Sequence, residues 1–348
     1  MIKIQNTAGR DLEQLAQEHF DSLSAWLLER IGGLQQLLSG VAITLHHNTI
    51  AALQKRVDGL GVEERSAASD LCGFLLEQDS TRELFNLRDL ICSTPETFSE
   101  LHNEFQGIFR IKDYPEVLKV VFSYSAFAGG HGQKVSGYSG FDLVEKLGLK
   151  TCPYCNRQYI EPVRSKGGKK LRPALDHFYS KDEYPLFALS FYNLIPSCTL
   201  CNSSLKHSKR FSVDTHLHPY VEEFGKEAVF RYQVVDSDKF TTYLKIQGED
   251  ASRRHRIRNS SEVFIIEDLY LQHDDVAREI RKKALENSPE HQQAMFKLLA
   301  EINKTEKEFY QFYFGNYMDG RDHERRPLAK FTRDLVDDLG ITQMFDIG

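Results

Sequence analysis

Two Cys-x-x-Cys hooks constrain this chain more than anything else in it. Cys152-Pro-Tyr-Cys155 opens the stretch 152–202, and Cys198-Thr-Leu-Cys201-Asn202 closes it. Paired hooks of this kind suit one tetrahedral Zn²⁺ held by four thiolates. Such a site leaves no coordination position open. It is structural, so the chemistry belongs to the residues it clamps. Between the hooks lie Leu175-Asp176-His177-Phe178 and Phe191-Tyr192-Asn193-Leu194.

The zinc reading needs reduced thiols. The start, Met1-Ile-Lys-Ile, is polar and has no apolar core segment after it, so no secretory signal is expected. No apolar run approaches the ~20 residues of a membrane helix. A cytoplasmic chain follows as the expectation, and that compartment favours zinc over disulfides. The other two cysteines, Cys72 and Cys92, sit in apolar helical context and read as buried thiols.

The chain has 348 residues, room for two or three domains, and an ordinary soluble balance of 41% hydrophobic and 27% charged residues. Its net charge of −6 does not mark a nucleic-acid binder. The distribution is more telling. Residues 151–220 carry ten Lys and Arg against five Asp and Glu, a basic island in an acidic chain. Such an island suits a phosphate-facing surface, and equally a plain solvated face.

Apolar spacing predicts helices over 8–38 (Leu12, Leu15, Leu23, Trp26, Leu27, with an interruption at Gly32-Gly33), 42–58, 64–78 and 80–92. Thr94-Pro95-Glu96 reads as a helix start, followed by the stripe Phe98, Leu101, Phe105, Phe109, which is core rather than a ligand site. Residues 113–124 and 141–148 are further helices. Between them Gly129, Gly130, Gly132, Gly137 and Gly140 make a connector. It lacks the Gly-Lys-Ser/Thr of a phosphate loop, since Gln133-Lys134-Val135 stands there. Residues 228–235 and 240–247 predict a β-hairpin around Asp236-Ser-Asp238. Helices are expected at 262–286, 289–314 and 328–339, the last bounded by Pro327 and Gly340.

Taken together, Cys-x-x-Cys, Asp176-His177, Asn193 and Cys-x-x-Cys-Asn202 resemble an HNH endonuclease of the ββα-metal class. The fuller string, Leu175 to Tyr179, Tyr184-Pro-Leu, Leu189 to Cys198 and Asn202-Ser-Ser-Leu-Lys206, is similar to bacterial HNH proteins of anti-phage defence, among them the HNH subunit of Septu-type systems. The resemblance covers 145–220. It implies a zinc-stabilised ββα-metal module, which the helical and hairpin patterns place inside an α+β protein that is mostly helical. The expected organisation is a helical region 1–127, a connector 128–144, the HNH module 145–220, and a hairpin plus helical region 221–348.

The resemblance also implies roles. His177 is the general base, a group suited to taking a proton from water near neutral pH. Asp176 and Asn202 hold a catalytic divalent cation. Asn193 fixes the base loop through backbone hydrogen bonds. Asn202 stands where the name-giving motif has His. Oxygen ligands favour Mg²⁺ or Mn²⁺ and leave the choice between them open. His207 reads as an exposed helical residue, with a ligand or phosphate contact as its alternative. His216 and His218 are expected to be structural.

Lys166, Lys169, Lys170 and Arg172 form a basic insertion before the catalytic strand, and Lys206, Lys209 and Arg210 extend the helix of Asn202. All seven are candidate phosphate contacts, with the run Arg253 to Arg258 a further track. The expectation is metal-dependent hydrolysis of DNA with low sequence specificity. The rivals are a zinc-stabilised nucleic-acid-binding or scaffold protein, and an RNase using the same residues. The helical regions leave room for a partner ATPase, a sensor protein or a second copy of the chain.

Overall fold

Leu12, Ala16, Leu23, Leu27, Ile31 and Leu34 recur at helical spacing and are buried along one side of α1 (Leu12–Leu38), capped by Asp11. The computed structural model describes residues 1–6, 11–43, 45, 47–77, 87–129, 137–168, 170–236, 239–286, 294 and 305–340. Of the sequence expectations, connector residues 130–136, Lys169, the turn residues 237–238, residues 80–86 and most of 289–304 lie outside that set. The expected interruption of α1 at Gly32-Gly33 is absent. The helix runs through, and Gly33 serves a close approach instead: a Cβ there would lie 2.1 Å from Leu45 Cδ1.

Helix α1 packs against α2 (His47–Val57), α3 (Val62–Leu76), α4 (Leu87–Cys92) and α6 (Pro115–Val121). Helix α5 (Phe98–Phe109) buries Phe98, Leu101, Phe105 and Phe109, the expected stripe. It starts at Phe98 rather than at Pro95, because Thr97 turns back onto the Thr94 carbonyl. The single helix expected over 113–124 is two, α6 and α7 (Tyr124–Phe127), since Ser123 is extended and caps the second. Helix α8 (Gly140–Leu147) follows.

Among the described residues, three two-stranded antiparallel sheets come next. They are β1–β2 (Val163–Arg164, Lys170–Leu171), β3–β4 (Ala174–His177, Leu194–Ser197) and β5–β6 (Ala228–Asp236, Lys239–Ile246). After β4 comes a wide, π-type helix, Leu200–Lys206. The chain continues with α9 (Ala251–Val263), α10 (Ile266–Leu271), α11 (Asp274–Glu286), α12 (Glu306–Phe314) and α13 (Ala329–Asp338). The helix expected from 262 to 286 is thus three, broken at Ile265, whose φ is 40°, and again at Gln272 and His273.

The fold is mostly helical with small antiparallel sheets. One apolar cluster runs from Ile4 and α1 through Phe178 and Phe191 to Phe331 and Val336. Among the described residues no helix is long and apolar enough to cross a membrane.

Candidate active site

Sulfur geometry comes first. Cys152, Cys155, Cys198 and Cys201 are buried, and their Sγ atoms all lie within 4.8 Å of one another. A tetrahedral Zn²⁺ with Zn–S bonds of about 2.3 Å needs S···S edges of roughly 3.8 Å. Cys155 and Cys198 already stand 3.9 Å apart, and the Cys201 N–H donates to Cys198 Sγ at 3.4 Å. The donor set fits a closed four-thiolate metal site, zinc being the ion it suits best.

The hook is locked from behind. Asn156 takes a left-handed conformation, φ 50°, just after Cys155. Its side chain donates to the carbonyl of His323, and its carbonyl accepts from Leu328 N at 2.7 Å. Tyr270 on α10 donates to the Cys155 carbonyl at 2.6 Å.

Strand β3 carries the two residues of interest. It pairs with β4 so that Asp176 faces Ile195 and His177 faces Leu194. Side chains alternate along a strand, so the two point apart. Asp176 turns toward the hook, where Tyr154 Oη donates to Oδ2 at 2.6 Å. Lys206 Nζ donates to Oδ1 at 3.0 Å and also to the His177 carbonyl. Burial, and then Asp176, holds the Tyr154 hydroxyl well above its ordinary pKa, so it stays a donor.

His177 packs edge-on to Tyr124, ring centroids 4.4 Å apart, and its Nε2 lies 3.0 Å from the Ala188 carbonyl. A carbonyl can only accept, so in the neutral ring Nε2 carries the hydrogen and Nδ1 keeps the lone pair. Burial pushes the imidazole down to about 3, against a smaller upward pull from the Ala188 contact. At neutral pH the ring is therefore neutral, the form that can take a proton.

Asn193 is fully buried and clamps the loop between the strands. Its Oδ1 accepts from Tyr179 N at 2.7 Å, and its Nδ2 donates to the carbonyls of Tyr179 (3.0 Å) and Phe187 (2.9 Å). The clamp thereby sets the neighbouring Ala188 carbonyl that orients His177.

Asp176, His177, Asn202 and Lys206 line one groove of about 610 Å³, with Tyr124, Arg172, Lys181, His207 and Lys209 around them. Asn202 is half-buried on the π-type helix, one turn before Lys206. No family model, no curated protein and no solved structure matches this chain.

The basic residues divide. Lys166 is exposed in the loop that joins β1 to β2, and Lys170 is exposed but 3.9 Å from Asp142. Lys209 and Arg210 are exposed, but they follow the helix rather than extend it, because His207 breaks it with φ 46° and ψ −118°. His207 is exposed at that break. Arg172 donates to the carbonyls of Pro173 and Ala128 and still lines the groove. Lys206 is no surface phosphate contact: it is 3% exposed and its charge is spent on Asp176. In the run Arg253 to Arg258, two residues are corrected. Arg253 pairs with Glu222 and Glu227, and Arg256 with Glu222, all part-buried. His216 and His218 are packed among rings, His216 stacked on Phe211 and His218 against Phe178.

Tyr154 and the buried state of Lys206 were not foreseen. One signal was available: Lys206 lies four residues after Asn202, the spacing that puts two side chains on one helical face.

Proposed function

We propose that this chain is a metal-dependent endonuclease of the HNH type that hydrolyses DNA with low sequence specificity, in the setting of anti-phage defence. One observation carries the reading. The β3–β4 pair and the helix after it bring Asp176, His177 and Asn202 to a single groove, with Asn193 clamping the loop between.

The residues suit the chemistry. With Nε2–H held by Ala188, His177 Nδ1 can take a proton from a water in the groove. A ring held at about 3 is a weak acceptor, but the negative charge of a phosphate entering the groove raises it. Arg172, Lys181 and Lys209 favour that anion without reading bases. Asp176 and Asn202 offer the hard oxygens that Mg²⁺ or Mn²⁺ prefers. Each Asp176 oxygen accepts one hydrogen bond from protein and keeps a further lone pair. Such an ion, when bound, neutralises charge on the phosphate and on the leaving oxygen.

The scaffold reading draws its support from one contact, the Lys206 ammonium on Asp176. Incubation of plasmid DNA with Mg²⁺ or Mn²⁺, wild type against His177→Ala, decides between the two. Cutting by wild type that falls ~10²-fold or more in His177→Ala is the expected result. No cutting under any cation would leave the scaffold reading, and cutting of RNA alone would leave the RNase.

A further inference from the structure

Lys206 is a buried cation of the candidate site. It is buried with Asp176, their side chains 3% and 4% exposed. Its ammonium donates to Asp176 Oδ1 and to the His177 carbonyl, and it lies 4.8 Å from the centre of the Phe211 ring. Oxygen partners on one side and an aromatic face on the other leave it no exposed direction.

We infer that Lys206 is a built-in cation which competes with the divalent ion for Asp176. This deepens the proposed nuclease and rests on that reading for its biological meaning. The argument is electrostatic. Asp176 is a buried carboxylate with one charged partner in the structure, so charge balance is complete without a metal. A divalent ion approaching the same carboxylate meets an ammonium already within hydrogen-bond distance of it. In a site of low dielectric that repulsion is large. As the ion takes a free lone pair of Asp176, the like charges drive Lys206 off Oδ1. Lys206 sits on the same helix as Asn202 and one turn beyond it, so leaving Asp176 is a local movement of one flexible side chain.

The arrangement makes Lys206 a positioning residue with a sign. Without metal it occupies Asp176 Oδ1. With metal it is released into the groove that Asn202, His207 and Lys209 also line, where it faces the phosphate's path. The threshold cation concentration for activity is then set by a residue of the chain itself.

The test uses Mn²⁺ alone as the probe, on the full chain. Lys206→Met removes the charge and keeps the length. It should bind Mn²⁺ about tenfold tighter or more than wild type. Lys206→Arg keeps a cation and should stay close to wild type. Asp176→Asn added to Lys206→Met should abolish the gain. Equal or weaker Mn²⁺ binding by Lys206→Met would overturn the inference. If that variant does not fold, the wild type decides: acylation of Lys206 by an N-hydroxysuccinimide ester, read by peptide mass, should rise severalfold as Mn²⁺ saturates. Unchanged acylation across that titration would overturn it too. None of these readouts needs cleavage. A wild type that cuts no nucleic acid would therefore sink the nuclease reading and leave the competition between Mn²⁺ and Lys206 standing or falling on its own.

Discussion

The hydroxyl of Tyr154, which lies between the cysteines of the first hook, donates to Asp176 Oδ2 at 2.6 Å. Both groups are buried, and Tyr154 stacks on Phe264 with ring centroids 4.4 Å apart. A thiolate site and a carboxylate are thus joined by one side chain. Tyr154→Phe keeps the ring and deletes the donor. It should cost ~1–3 kcal/mol, as a lost bond to a charged group does. Urea denaturation measures this, with an unchanged slope. Cleavage should fall while the metal content of the hooks stays the same.

Metal content is itself a prediction. Elemental analysis of the purified chain should find about one Zn per molecule, by the four-ligand rule. Cys152→Ser should lose the metal and much of the stability, since binding and folding are coupled at such sites. A folded wild type with almost no bound metal would refute the donor-set argument.

Asn193→Ala removes three hydrogen bonds and leaves Tyr179 N and the carbonyls of Tyr179 and Phe187 without their buried partner. The expected loss is about 3 kcal/mol or more. Cleavage should drop beyond what unfolding explains, because the loop that bears Ala188 also orients His177.

The hooks, the helical stripes of α1 and α5, and the β5–β6 hairpin were legible in the sequence. Local pattern specifies each of them: thiols in pairs, Phe98 to Phe109 at helical intervals, and two runs rich in Val, Phe, Tyr and Thr. Helix α9 was not legible from 251, because apolar periodicity cannot see a helix whose inner side is built of ion pairs. Arg253 and Arg256 face Glu222 and Glu227 there, while Ile257 is its one buried large apolar residue. Lys206 was misread for a related reason. It sits in a basic run, and its burial depends on Asp176, thirty residues away in sequence.

Acid should destabilise the fold before it reaches the carboxylates. His19 is fully buried between Tyr138 and the Leu189 carbonyl, and burial lowers it from 6.5 to about 4. The unfolded chain then binds the proton more readily than the folded one. Stability from this group is complete above about pH 6.5 and is lost as pH falls toward about 4. Melting temperature followed from pH 7 to pH 4.5 should decline, and His19→Gln should lessen the decline by that group's share while the buried His177 and His218 still contribute, even though it melts lower throughout.

DNA affinity should depend on salt through the exposed cations. Lys166→Ala and Lys209→Ala should each reduce the slope of log affinity against log salt by up to about one, with no change in the sequences bound. Arg253→Ala should leave that slope alone and lower the melting temperature, because its charge is used inside the fold.

Asn156 has a kinetic consequence. The hook it follows is sealed by chain that comes 167 to 174 residues later, at His323 and Lys330. Cysteine pairs 43 residues apart, such as Cys155 and Cys198, can meet long before that seal exists. A metal taken up by the two hooks should therefore be held until residues 323–330 open. Asn156→Ala should release it to a chelator faster than wild type does.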